Sequence, residues 1–359
     1  MSKTLIFSDV HVHPHKRKTD RLEDCLKSLE WVFETAKKHN IRDIVFGGDL
    51  FHDRQRIEVF TYHRTFETLE KYLDGYFKLY LLLGNHDLWF NQATTITSVK
   101  PFSAMPGVQI IDKPSRLSIA GANWDFIPFT HDPIAAIKEL NALEGEAKIA
   151  VGHIALDGAI LHGTHHADVS VEHDGDMVVV GEQIFADYNR VFLGHYHIAQ
   201  HINDRIEYVG SPLQLSFGEA YQDKHIIIYD PETDSREYVK NTFSPKHYVI
   251  TPDEVTKYDL ERCFVRVIVD DLSTTDIVEV KNQIMNVAHP GTLEITQKKK
   301  KVDDNLVKDA KVVLTHGDDM LNRWLELRGV EFGKKDQTKQ NLDKDKLLNI
   351  ARKICQTNN

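Results

Sequence analysis

Seven side chains able to hold a metal recur at five places in the chain, each just after an apolar run. Asp9 and His11 follow Thr4-Leu5-Ile6-Phe7, and Asp49 follows Ile44-Val45-Phe46. Asn85 follows Leu79-Tyr80-Leu81-Leu82-Leu83, His153 follows Ile149-Ala150-Val151, and His195 and His197 follow Val191-Phe192-Leu193. Two carboxylates, one amide oxygen and four imidazoles, with no thiolate, suit a pair of divalent cations such as manganese, iron or zinc rather than copper or an iron–sulfur cluster. Two such cations roughly 3.5–4 Å apart clamp a phosphoryl group and generate a hydroxide nucleophile at neutral pH. Asp49, in the middle strand, is the natural bridging carboxylate. The Asp-x-His and His-x-His spacings let one extended loop supply two ligands from the same side, because side chains alternate along it. His86, next to Asn85, is placed to serve as general acid to the leaving oxygen, a role worth about 10²–10⁴-fold. Asp87 either orients His86 or caps the following turn.

A lone His at a strand end is usually a solvated loop residue, and an Asp there usually belongs to a turn. Five strand ends that all carry metal-capable groups outweigh that reading. The same reading is retained for His13, His15, His39, His63, His131, His225 and His289, which are taken as surface or packing residues. His162, His165, His166 and His173 fall in a Gly- and His-rich insertion, residues 155–181, read as a mobile functional loop rather than a third metal site.

The elements that must position these groups alternate between strand and helix. Apolar residues at Leu22, Leu26, Leu29, Phe33 and Ala36 predict a helix over about 20–40. A second helix is predicted over about 58–73, then further helices over 94–106 and 132–140. Short strands are predicted at 108–111, 117–119, 123–128, 207–209, 225–229 and 236–239. Strand–helix–strand order by itself predicts one parallel sheet with right-handed crossovers. In such sheets ligands bind at the carboxyl rim of the strands, where all seven candidates fall. The pattern changes near residue 245. A strand at 264–269, a helix at 276–287 and a strand at 292–295 predict a small second α/β domain, and short helical patterns at 320–327 and 342–354 end the chain.

The 359 residues are enough for two domains or one with an appendage. The net charge of −10 argues against coating nucleic acid by bulk attraction and leaves room for a local basic surface. No apolar run approaches the roughly 18 residues of a membrane span. The chain enters a strand at once, which leaves no signal peptide. Cys25, Cys263 and Cys355 form no CxxC pair and read as reduced thiols of a cytoplasmic protein.

Asp9-x-His11, Gly48-Asp49, Gly84-Asn85-His86-Asp87, Gly152-His153 and Gly194-His195-x-His197 match, in order, the five motifs of the calcineurin-like metallophosphoesterase superfamily, over about residues 3–240. The resemblance implies a β-sandwich flanked by helices in place of one parallel sheet. It assigns Asp9, His11, Asp49 and His197 to one metal and Asp49, Asn85, His153 and His195 to the other. Within the superfamily the chain resembles the SbcD-type nuclease subunits of DNA double-strand-break repair, bacterial or phage. His52, three residues after Asp49, matches a His of those nucleases taken to position the DNA strand. The segment Val209-Gly210-Ser211-Pro212-Leu213-Gln214-Leu215-Ser216-Phe217-Gly218-Glu219 resembles their Gly-Ser-Pro segment.

The implied organisation is a nuclease domain over 1–245, a DNA-capping domain over 246–305, and C-terminal helices over 306–359 that bind an SbcC-type coiled-coil ATPase. The implied activity is a manganese-dependent exonuclease and endonuclease acting on double-stranded DNA ends, and on single strands, in the cytoplasm of a bacterium or an infected host cell. Basic residues Lys16, Arg17, Lys18, Arg54 and Arg56 follow ligand-bearing strands and suit a DNA backbone. Two alternatives stand beside this reading. One is a small-molecule or cyclic-nucleotide phosphodiesterase with the same metals; the other is a non-catalytic DNA-end-binding scaffold, which would have no need of His86. A wide apolar arc on the second helix (Val59, Phe60, Tyr62, Phe66, Leu69 and Leu73) predicts a homodimer built through the helices near 20–40 and 58–74. The stripe Leu347, Ile350, Ala351 and Ile354 predicts helix-in-groove docking to the ATPase.

Overall fold

Alternation along the strands sorts apolar residues to two faces. In Thr4–Phe7, Leu5 and Phe7 pack one way and Ile6 the other; in Asp43–Phe46, Ile44 and Phe46 oppose Val45; in Lys78–Leu82, Leu79 and Leu81 oppose Tyr80 and Leu82. A sheet apolar on both faces must be covered on both. The computed structural model describes residues 2–14, 19–90, 93–162, 165–166, 178–270 and 272–298. Among them, two six-stranded sheets face each other. The first runs Ser235–Lys240, His225–Asp230, Thr4–Phe7, Asp43–Phe46, Lys78–Leu82, Val108–Ile111, with the last four parallel. The second runs Gln200–His201, Ile206–Tyr208, Arg190–Gly194, Ile149–His153, Ala122–Ile127, Ser115–Ile119, with its middle four parallel.

Ile6, Val45, Tyr80 and Leu82 of the first sheet meet Trp124, Phe126, Val151 and Phe192 of the second in the sandwich interior. The outer face of the first sheet is covered by helix α1 (Thr19–Lys38), through Leu22, Leu26, Leu29, Phe33 and Ala36, and by Leu69 of α2 (Val59–Glu70). The outer face of the second sheet takes Ala136, Ile137 and Leu140 of α3 (Pro133–Asn141). This is the helix-flanked sandwich that the motifs imply, and the single sheet read from strand–helix order alone is corrected.

The expected helix over 94–106 is also corrected. Leu88–Phe90 and Ala93–Thr97 form an antiparallel hairpin, followed by a short 3₁₀ turn, Lys100–Ala104. Thr94, Thr95, Ile96 and Thr97 are β-branched and favour extended backbone, and Pro101 admits only the start of a helix.

A third, three-stranded parallel sheet (His247–Ile250, Phe264–Val269, Thr292–Gln297) carries α4 (Thr274–Ala288) over its own small core of Val265, Val267, Val269 and Ile284. It belongs to the same compact unit as the sandwich, residues 1–298. The segment 299–359, with the two terminal helical patterns, lies outside the described residues, as do Lys16, Arg17 and Lys18 and residues 167–177 of the insertion.

Candidate active site

The carboxyl ends of the parallel strands from both sheets meet at one rim. Asp9, His11, Asp49 and His195 leave their strands with φ of 54°, 47°, 64° and 99°. Non-glycine residues in this left-handed region are uncommon and cluster at functional sites. Here the turns fold the loops across one another: Asp9 N–H donates to the Gly48 carbonyl (2.9 Å), His11 N–H to Asp49 O (3.1 Å) and Val12 N–H to Leu50 O (2.7 Å). Gly84 permits the closest approach, since a Cβ there would overlap the Asp49 carboxylate.

All seven sequence-predicted ligands converge. His11 Nε2 and His153 Nε2 each lie 3.4 Å from Asp49 Oδ2. Asn85 Oδ1 is 3.0 Å from His153 Nε2 and 3.1 Å from His195 Nδ1. His197 Nε2 is 3.0 Å from His11 Nε2. His195 N–H reaches both Asp9 carboxylate oxygens at 3.1 Å. Asp9, His11, Asp49, Asn85 and His153 are buried, and His195 and His197 are half-buried. Asp9–His11–His197 and Asp9–Asp49–His153 each bring three ligand atoms within the reach of one ion.

Hydrogen bonding tests whether cations fit. His153 Nδ1 lies 2.8 Å from the Gly47 carbonyl, so that nitrogen carries a proton. Its Nε2 then faces Asn85 Oδ1, Asp49 Oδ2 and His195 Nδ1 (3.3 Å). Acceptors crowded around one point need positive charge between them. Burial opposes a charged His153, but the Asp49 carboxylate outweighs it and the His153 pKa rises to about 9. Burial likewise opposes charge on Asp49, yet His153 and His11 hold it well below the usual carboxylate range. Desolvation and the neighbouring His153 bring His195 down to about 3, and burial pushes His11 well below its ordinary value. Burial raises Asp9. Positive charge is thus drawn to the Asp49 carboxylate, where divalent cations would supply it.

His86 is half-buried beside this cluster. Its backbone N–H donates to Asp49 Oδ1 (2.8 Å), and its ring Nδ1 donates to the His52 carbonyl (2.5 Å), leaving Nε2 as the ring's second site for a proton. The His52 ring lies edge-on to His11 (5.6 Å between centroids) and roughly parallel to His86 (5.8 Å). His13, read from sequence as a plain surface residue, lines the same rim: its Nε2 lies 3.0 Å from Asp53, and its ring is 5.2 Å from that of His52.

Asp87 caps the turn that it ends, not the one that follows it, and reaches a second loop. It is fully buried and accepts the backbone N–H groups of Asp49 (2.9 Å), Leu50 (3.0 Å) and Gly84 (2.9 Å). It closes its own turn and fixes the Asp49 loop. Burial and the nearby Asp49 charge raise its pKa to about 7 in spite of those three bonds. Sequence reasoning assigned no role to Glu219 or Lys224, which lie buried behind His197; the only signal was the place of Glu219 in the Gly-Ser-Pro segment. Of the predicted basic contacts, Arg54 is half-buried and Arg56 exposed. A cleft of about 450 Å³ opens beside the cluster, lined by His52, His195, His197, Leu161, Leu215 and Ser216.

Residues 2–199 match the profile of the calcineurin-like phosphoesterase family. The chain belongs to that family. Exonuclease subunit 1 of Enterobacteria phage T4 is 24% identical over 268 residues, which are 74% of this chain and 75% of the phage protein. The SbcD component of the SbcCD nuclease of Escherichia coli (strain K12) is 25% identical over 294 residues, 70% of each chain. The protein is thus a calcineurin-like phosphoesterase, a family that uses divalent metals, and its His and Asp cluster has the residue types and spacing to hold such ions. Among the described residues no helix is long and apolar enough to cross a membrane.

Proposed function

We propose that this phosphoesterase is a DNA nuclease subunit that hydrolyses phosphodiester bonds at DNA ends with two manganese ions. The observation that carries the reading is the convergence of Asp9, His11, Asp49, Asn85, His153, His195 and His197 around one shared carboxylate, with the non-ligand His86 beside them. Asp9, His11, Asp49 and His197 would hold one ion; Asp49, Asn85, His153 and His195 the other. When bound, two cations supply the Lewis acidity that polarises a phosphoryl group and acidifies water.

The protein's own groups do the rest. The His52 carbonyl fixes the His86 ring through Nδ1, so that a protonated His86 presents Nε2–H to the leaving oxygen. The amide of Asn85 gives an oxygen ligand without adding negative charge opposite the phosphate. The cleft beside His52, His195 and His197 has the volume of a small-ligand site, room for a nucleotide unit of a strand. His52 would position that strand, and Arg54 and Arg56, with Lys16, Arg17 and Lys18, would meet its backbone. DNA rather than a small phosphodiester is favoured by the likeness to two nuclease subunits along most of their length.

In this reading residues 1–245 form the nuclease domain, 246–305 cap the DNA, and 306–359 dock on an SbcC-type ATPase. The homodimer would form through α1 and α2, where Val59 of α2 is 83% and Phe60 47% exposed, while Leu69 and Leu73 turn into the core. The test is cleavage of end-labelled duplex and single-stranded DNA with manganese or magnesium, beside bis(p-nitrophenyl) phosphate. Manganese-dependent DNA cleavage is expected. Hydrolysis of the aryl diester with none of DNA would move the assignment to a small-molecule phosphodiesterase, and DNA binding without either activity would mark a scaffold.

A further inference from the structure

We propose that Glu219, held in place by Lys224, is the positioning residue for His197 and thereby sets the affinity of one of the two cations. The inference rests on the two-cation reading above.

Glu219 ends a short turn, Phe217–Glu219, and is 2% exposed. Its Oε1 lies 3.5 Å from His197 Nδ1, and its Oε2 accepts from Lys224 Nζ (2.5 Å) and Ser211 Oγ (3.1 Å). Lys224, 4% exposed, uses its remaining donors on the His197 carbonyl (2.7 Å) and Ser211 Oγ (3.0 Å). Ser211 N–H donates to the same His197 carbonyl at 3.0 Å. His197 is thus gripped at its ring by the carboxylate and at its backbone by the ammonium and an amide.

The two segments are pressed together at Gly210. Its φ is +72°, and a Cβ there would sit 2.7 Å from Ala199 N and 2.8 Å from His197 O.

A buried ion pair is weak evidence for stability, because desolvation offsets its Coulomb gain. Its geometry here makes sense as orientation. A carboxylate at Nδ1 favours the tautomer with the proton on that nitrogen and leaves Nε2 bare. Nε2 is the atom that points at His11, 3.0 Å away, in the cluster with Asp9. Metal-binding histidines commonly donate their other ring N–H to a carboxylate, and loss of that partner costs roughly 10–100-fold in metal affinity.

The experiment is a manganese titration of the metal-free full-length protein, with free ion counted by electron paramagnetic resonance. Glu219→Gln leaves Lys224 buried without its counter-charge and risks misfolding, so the double variant Glu219→Gln/Lys224→Met, which removes both charges, is measured beside it. The parent should bind two ions. In the folded variants one ion should weaken about 10–100-fold and the other keep its affinity, with Glu219→Asp recovering part of the loss. His197→Ala should weaken the same ion, and adding Glu219→Gln to it should cost nothing more, because the two groups act as one. Two ions of unchanged affinity in the folded double variant, or losses that add in the cycle, would overturn this proposal and leave the two-cation reading standing. A parent that binds no manganese would overturn both.

Discussion

The sharpest consequence of the site concerns His86. Its tie to the Asp49 carboxylate is the backbone N–H, 2.8 Å from Oδ1, while its ring meets the His52 carbonyl and packs edge-on to His11. His86→Asn removes the ring and its packing on His11 but keeps the backbone tie to Asp49. Two manganese ions should still bind with parental affinity. The loss should appear only where the leaving group needs a proton. A DNA strand leaves as a sugar alkoxide, so cleavage should slow by about 10²–10⁴-fold, or about 2.7–5.5 kcal/mol of transition-state stabilisation at roughly 1.36 kcal/mol per decade. An aryl diester leaves as a phenolate that departs unprotonated, and its rate should fall less than about tenfold on the same rule. The assay is kcat on an end-labelled oligonucleotide and on bis(p-nitrophenyl) phosphate at saturating manganese. His52→Ala provides the contrast. It keeps the carbonyl that holds the His86 ring at 2.5 Å, so it should spare the aryl diester and slow DNA cleavage less than His86→Asn. Equal losses on the two substrates would show that His86 acts on binding or on the metals. A variant that cuts DNA at the parental rate would remove the general acid altogether.

Four further outcomes are expected. Asp87→Asn keeps at most two of the three N–H acceptor contacts and leaves one buried donor unpaired; it should cost about 1–3 kcal/mol, seen as a melting point lower by several degrees, and an unchanged melting curve would refute its role in bracing the Asp49 loop. Burial and the adjacent Arg21 hold the His247 pKa down at about 3, so below its ordinary value of 6.5 the unfolded chain takes up a proton that the folded chain refuses. Its share of stability is thus intact above about pH 6.5 and lost as the pH falls toward 3, about 2 kcal/mol by pH 5. His247→Phe, which preserves the stack on Phe264, should flatten that acid slope in denaturant titrations, and an unaltered slope would assign the sensitivity elsewhere. Light scattering at micromolar concentration should give twice the chain mass, and Val59→Asp/Phe60→Asp should halve it; a monomeric parent would rule the dimer out. Deleting residues 340–359 should abolish co-purification with a coiled-coil ATPase, and retained binding would place that contact elsewhere.

What could be read in the sequence was whatever depends on near neighbours. Each candidate ligand follows an apolar strand, and the structure brings the seven together although His11 and His197 lie 186 residues apart. Helix α1 was legible because Leu22, Leu26, Leu29, Phe33 and Ala36 repeat at helical spacing. The division of strands between two sheets was not. Leu5 and Ile6 are both apolar and both buried, and nothing local records that one faces α1 and the other the second sheet. The hairpin strand Ala93–Thr97 fell within the helix expected over 94–106, although its run of β-branched residues before Pro101 carried the contrary signal.

The same distinction separates ligands from the groups that hold them. Asp87 looks like a turn residue until Asp49 and Leu50, in another strand's loop, supply two of its three donors. Glu219 and Lys224 are five positions apart, a spacing that neither a helix nor a strand would single out, and in an exposed loop they would be ordinary surface charges. They acquire a task only because Gly210 lets their segment close on the backbone of His197. Candidate ligands can thus be read strand by strand, whereas the contacts that hold them are decided between loops. Substitutions in segment 210–224 should for that reason alter metal affinity more than the modest apparent chemistry of its side chains would suggest.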